Sequence, residues 1–88
     1  MITKDYVVTA PLGLHARPAT TLIRLAKNYK SAISLKKGEK TIRLNSMLNI
    51  LSLNVKGGET VSVSIEGEDE LAASANIDQF FTKELKNL

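Results

Sequence analysis

The 88-residue chain contains no cysteine, which excludes disulfides, zinc fingers and thiol chemistry. Tryptophan is absent, and there is a single histidine, His15. One imidazole cannot build a multi-histidine metal site. No metal and no other cofactor is expected, and any histidine chemistry must run through His15. No run approaches the roughly 18–20 apolar residues of a membrane helix. The opening Met1-Ile2-Thr3-Lys4-Asp5 lacks the apolar stretch of a signal peptide. A soluble, cytoplasmic protein is the expectation. A strong charge of one sign is also missing. Twelve Lys and Arg against nine Asp and Glu leave +3, and the cations are dispersed rather than clustered. That speaks against nucleic-acid binding and for an acidic protein partner.

What is present is ordinary globular composition, 43% hydrophobic and 24% charged. This suffices for one core and not for two, so 1–88 reads as a single domain. Ile2, Tyr6 and Val8 alternate as in a strand, with Lys4 interrupting. Pro11-Leu12-Gly13 reads as a turn. From Ala16 to Tyr29, the residues Ala16, Ala19, Leu22, Ile23 and Ala26 recur at helical spacing, with Pro18 in the first turn where its missing N–H costs nothing. Ile33 and Leu35, then Ile42 and Leu44, mark two short strands around a Lys37-Gly38-Glu39 turn. Ser46 offers N-cap chemistry for a short helix over Met47 to Asn54, with Ile50 and Leu53 facing the core. Val61, Val63 and Ile65 form a further strand. Glu68, Asp69 and Glu70 open a last helix whose core stripe is expected at Leu71, Ala73, Ile77, Phe80 or Phe81, and Leu85. The order is β-α-β-β-α-β-α. Each strand has one apolar face, which predicts an α+β fold: an antiparallel sheet covered by helices on one side.

The window Gly13-Leu14-His15-Ala16-Arg17-Pro18-Ala19 concentrates the chemistry. His15 stands at a helix start, where first-turn amides have no intrahelical acceptors. Pro18 removes one such amide, but Ala16 and Arg17 keep theirs, and the positive end of the helix makes an anion site of them. Arg17 adds a guanidinium that matches phosphate geometry. The positive pole disfavours imidazolium, and neutral imidazole is the nucleophilic form. The residues therefore allow a histidine that attacks a phosphoryl group and holds it. They equally allow a plain capping histidine beside a solvated arginine.

The string Thr9-Ala10-Pro11-Leu12-Gly13-Leu14-His15-Ala16-Arg17-Pro18-Ala19 resembles the active-site signature of the HPr family. These are the histidine-containing phosphocarrier proteins of the bacterial phosphoenolpyruvate-dependent sugar phosphotransferase system. The likeness extends over nearly the whole chain, including the Ser46 segment, Leu53 to Gly58, and Ile65-Glu66-Gly67-Glu68-Asp69-Glu70. It implies an open-faced β-sandwich, four antiparallel strands covered on one face by three helices. It implies that His15 accepts a phosphoryl group on Nδ1 from phosphorylated enzyme I and passes it to IIA domains of sugar permeases, with Arg17 and the amides of Ala16 and Arg17 stabilising the phosphate. The protein would then be a monomeric, stoichiometric carrier and not a free-standing enzyme.

The same resemblance gives Ser46 a regulatory role as the target of HPr kinase/phosphorylase. This chain departs from the usual kinase-competent pattern, with Asn45 in place of lysine and Asn49 in place of glycine. Asn-Ser before an aliphatic residue is also similar to the nitrogen-related paralogue. Met47, Leu48 and Leu51 match the family's exposed docking patch, bordered by Thr20, Thr21, Arg24 and Lys27. Two further readings stand beside the sugar carrier. One is a regulatory HPr-like binding module. The other is a small anion- or nucleic-acid-binding domain, which the dispersed Tyr6, Tyr29, Phe80 and Phe81 disfavour.

Overall fold

Apolar alternation along four strands produces a single covered face. The computed structural model describes residues 1–88 and orders them as β1 (Ile2–Val7), α1 (Ala16–Ala26), β2 (Ala32–Lys37), β3 (Lys40–Arg43), α2 (Met47–Ser52), β4 (Thr60–Glu66) and α3 (Glu70–Gln79). The sheet runs β1-β4-β2-β3 and is antiparallel throughout. Its register sets Tyr6 against Val61, Ile33 against Ile65, and Leu35 against both Val63 and Ile42, so these residues share one face. The three helices pack on that face, as expected from the sequence. Twenty buried hydrophobic residues form one core cluster, with Leu22, Leu35, Ile50, Ile77, Phe80, Phe81 and Leu85 closed to solvent. On the open face Thr3, Asp5, Ser34, Lys36, Ser62 and Ser64 lie side by side.

The helices end earlier than their patterns suggest. α1 stops at Ala26 rather than Tyr29, because Asn28 and Tyr29 donate to carbonyls only three residues back, which tightens the last turn. α2 stops at Ser52 rather than Asn54. Asn54 takes a left-handed conformation, φ 50°, and Lys37 Nζ and Lys40 Nζ donate to the carbonyls of Asn54 and Ser52 at 2.8 and 3.2 Å.

Leu71 is a correction to the expected core stripe. It is 79% exposed, whereas Ala73, Ser74 and Ile77 are buried. At 3.6 residues per turn, Leu71 falls about 110° round the helix from the centre of that stripe. Phe80 and Phe81 are both buried, although adjacent residues on an α-helix diverge by about 100°. The chain widens into a π-helical turn at Phe80–Glu84 and ends in a 3-10 turn at Leu85–Asn87. Phe81 stacks on Tyr6 at 4.6 Å between centroids, and Phe80 meets Phe81 edge-on at 5.1 Å.

Candidate functional site

His15 occupies the N-cap of α1 in an extended conformation, φ −79°, ψ −172°. Its carbonyl accepts from Ala19 N–H at 3.0 Å, the first bond of the helix. Pro18 is buried in the first turn, as its fixed φ allows. The amides of Ala16 and Arg17 have neither an intrahelical acceptor nor any other hydrogen-bond partner. No acidic residue lies in this first turn, and His15 makes no side-chain capping bond. The positive end of α1 is therefore uncompensated.

The imidazole is half-buried and its two nitrogens differ. Nε2 is closed to solvent with no hydrogen-bond partner, and it is the one such side-chain nitrogen or oxygen in the chain. A buried polar atom left unpaired costs about 1–3 kcal/mol, which makes Nε2 an exception among the buried polar atoms of the chain. Nδ1 makes no hydrogen bond and is the nitrogen that remains open to solvent. Arg17 is exposed, and its guanidinium forms no ion pair within the chain.

Below this site two loops meet. Leu14 N–H donates to Val55 O at 3.0 Å, Gly13 N–H to Ala10 O at 2.9 Å, and Gly58 N–H to Val8 O at 2.8 Å. Gly13, at φ 73°, presses so closely on the other loop that a Cβ would lie 2.0 Å from Val55 O. Nothing in the sequence announced this pairing, which joins segments more than forty residues apart.

The expected surface patch comes together in part. Thr20 Oγ1, which back-bonds to Ala16 O at 2.8 Å, also lies 3.4 Å from Met47 Sδ, so α1 and α2 touch there. Met47, Leu48 and Leu51 are 41%, 76% and 38% exposed. Arg24 and Lys27 are exposed, and Thr21 is half-buried with its hydroxyl on Arg17 O. Leu12, in the turn before His15, is also an exposed apolar side chain, at 76%. Ser46 holds the N-cap position of α2, but its hydroxyl makes no capping bond. The anticipated cap is therefore one of position and not of hydrogen bonding.

A family model described as the PTS HPr component phosphorylation site matches residues 2–83. The phosphocarrier protein HPr of Lysinibacillus sphaericus is 41% identical over 70 residues, 80% of each chain. Among solved structures, the histidine-containing phosphocarrier protein of Mycoplasma superposes with a TM-score of 0.89 at 28% identity over 96% of both chains. HPr-C-His of Thermoanaerobacter tengcongensis superposes with a TM-score of 0.82 at 34% identity, over 97% of this chain and 100% of the other.

Proposed function

Because the chain belongs to the HPr family of the phosphotransferase system, we propose that it is a phosphocarrier whose His15 takes a phosphoryl group from phosphorylated enzyme I and delivers it to IIA domains of sugar permeases. The observation that carries this reading is the asymmetry of the imidazole: Nε2 shut away, Nδ1 open beside two unpaired amides. For Nδ1 to present its lone pair, the proton of the neutral ring resides on Nε2. Nδ1 then attacks phosphorus. A new N–P bond forms as the bond between phosphorus and the donor breaks, and that electron pair returns to the donor. The arriving phosphoryl oxygens meet Ala16 N–H, Arg17 N–H, the positive end of α1 and the Arg17 guanidinium. Transfer of this kind needs little beyond alignment and charge stabilisation. The protein is consumed and regenerated as a carrier rather than turning over alone.

Met47, Leu48 and Leu51, with Thr20, Thr21, Arg24 and Lys27 around them, supply a small apolar centre with a basic rim. This is suited to brief docking of acidic partners. Ser46 is the proposed regulatory acceptor for HPr kinase/phosphorylase. No helix is long and apolar enough to cross a membrane, and the proposed carrier is a single 1–88 domain working in the cytoplasm as a monomer.

Incubation with phosphoenolpyruvate and enzyme I is the test. One acid-labile phosphoryl group per chain is expected, lost in His15→Ala. Undiminished labelling of His15→Ala would sink the mechanism. Faster labelling by the nitrogen-type enzyme I than by the sugar-type enzyme would move the protein to the paralogous branch.

A further inference from the structure

Gly57 is not a glycine for the usual reason. Its φ lies outside the left-handed region, unlike that of Gly58 at 89°, so its backbone conformation is open to any residue. What excludes a side chain is space. A Cβ at Gly57 would lie 2.6 Å from Pro11 O and 2.7 Å from Ala10 O. Both are backbone atoms, which cannot swing aside as a side-chain tip can. The contact also has a counterpart running the other way, since Gly13 gives up its Cβ space to Val55 O and to Lys56 Cα. The 10–14 and 55–58 segments thus interlock through two missing side chains.

The interlock reaches the imidazole through a short chain of bonds. Ala10 O, pressed by Gly57, accepts Gly13 N–H, and Val55 O, pressed by Gly13, accepts Leu14 N–H. The next residue is His15. The outer loop is itself held at both ends. Lys37 Nζ donates to Asn54 O at 2.8 Å and pairs with Glu59 at 2.9 Å, while Glu59 Oε1 accepts Lys56 N–H at 2.7 Å. We propose that Gly57 is a positioning residue for His15: by letting the Val55–Gly58 backbone seat against Ala10 and Pro11, it sets the height and tilt of the segment that presents Nδ1. This rests on the carrier reading above.

Two variants and a control test it. Gly57→Ala forces the two backbones apart. Gly38→Ala strains a glycine at φ 61° in the β2–β3 turn, with nothing within 4 Å, and serves as the control. Glu59→Ala releases the outer loop and removes a negative charge. The readouts are the rate of phosphoryl uptake from phosphorylated enzyme I, and the ¹⁵N signals of the His15 ring and of the Leu14 and Arg17 amides. Gly57→Ala is expected to fold, to move those signals, and to slow uptake about tenfold or more, since misplacement on the ångström scale is costly in transfer chemistry. Gly38→Ala is expected to leave both readouts unchanged. Glu59→Ala is expected to slow uptake several-fold, although attraction to an acidic donor alone would speed it.

Wild-type uptake in folded Gly57→Ala, or equal slowing in Gly38→Ala, overturns the proposal. So does faster uptake by Glu59→Ala with unmoved ring signals. If Gly57→Ala fails to fold, Glu59→Ala decides. If wild-type protein takes up no phosphoryl group at all, the carrier reading fails, and the ring signals alone judge the positioning.

Discussion

The N-termini of α1 and α3 are the same physical object treated in opposite ways. Each ends in free amides and a positive pole. At α3 two of the chain's own carboxylates, Asp69 at the N-cap and Glu70 in the first turn, sit at that pole. Glu70 Oε1 accepts Gly67 N–H at 3.1 Å, and Glu70 Oε2 lies 3.3 Å from the N-terminal ammonium. Asp69 reaches across to Lys30 N–H at 2.8 Å and Ser31 N–H at 2.9 Å, and it also takes the Ser31 hydroxyl. Donors from the Ser31 hydroxyl and the Lys30 amide hold the Asp69 carboxyl below its usual range, and the Gly67 amide and the terminal ammonium do the same for Glu70. Neither helix has a side-chain cap bond; at α1 there is in addition no carboxylate in the first turn, and two amides are left open beside His15. The filled pole ties the α1–β2 connection to α3. The empty pole is available to an incoming anion. α2 stands between them, with Ser46 in place and unbonded.

The largest expected effect comes from filling the empty pole. Ala16→Glu puts a fixed carboxylate at the start of α1. Two unit charges about 5 Å apart repel by about 3 kcal/mol at an effective dielectric constant near 20, and exposure reduces this. Phosphoryl uptake from enzyme I is expected to fall about 10- to 100-fold. Thermal stability should hold or rise slightly, because the new charge suits the dipole. Unchanged uptake would break the contrast.

Emptying the filled pole is the converse. Asp69→Asn is expected to lower the melting temperature while the folded protein takes up phosphoryl at the wild-type rate. The acid limb sharpens the point. Asp69, Glu70 and Glu59 all titrate below their ordinary values of 3.8, 4.5 and 4.5. The unfolded chain therefore binds protons first as pH falls. Stability is fully present above those ordinary values and declines as pH drops through the lower folded ones. Asp69→Asn should flatten that decline in urea titrations carried out across the acid range.

The smallest effect is expected at α2. A bonded serine cap contributes about 1 kcal/mol. With no such bond at Ser46, Ser46→Ala should change unfolding free energy by less than about 0.5 kcal/mol. The same variant should lose the acid-stable phosphate that HPr kinase and ATP place on the wild type. A full capping loss would mean the hydroxyl does bond in solution.

Much of this was legible along the chain, because strand and helix periodicities act locally. Val61, Val63 and Ile65, or Ala19, Leu22 and Ala26, state their buried faces without reference to anything distant. His15, Arg17 and Pro18 were equally visible, since a helix start is written in consecutive residues. Leu71 misled because an apolar side chain at the edge of a stripe looks the same whether or not its flank is covered. The paired burial of Phe80 and Phe81 could not be foreseen from an α-helical repeat, because it depends on a π-helical turn made against Tyr6.

The sequence by itself determined that a lone imidazole stands at a helix start with an arginine two residues on, and that no thiol or multi-histidine metal chemistry competes with it. Only the tertiary structure decided which face of that imidazole meets solvent. Nε2 is buried and Nδ1 open, and under the proposed role of Gly57 that orientation follows from how the 10–14 segment seats against Val55–Gly58. Side-chain orientation depends on contacts between residues distant in sequence, and no local pattern encodes where two backbones will meet.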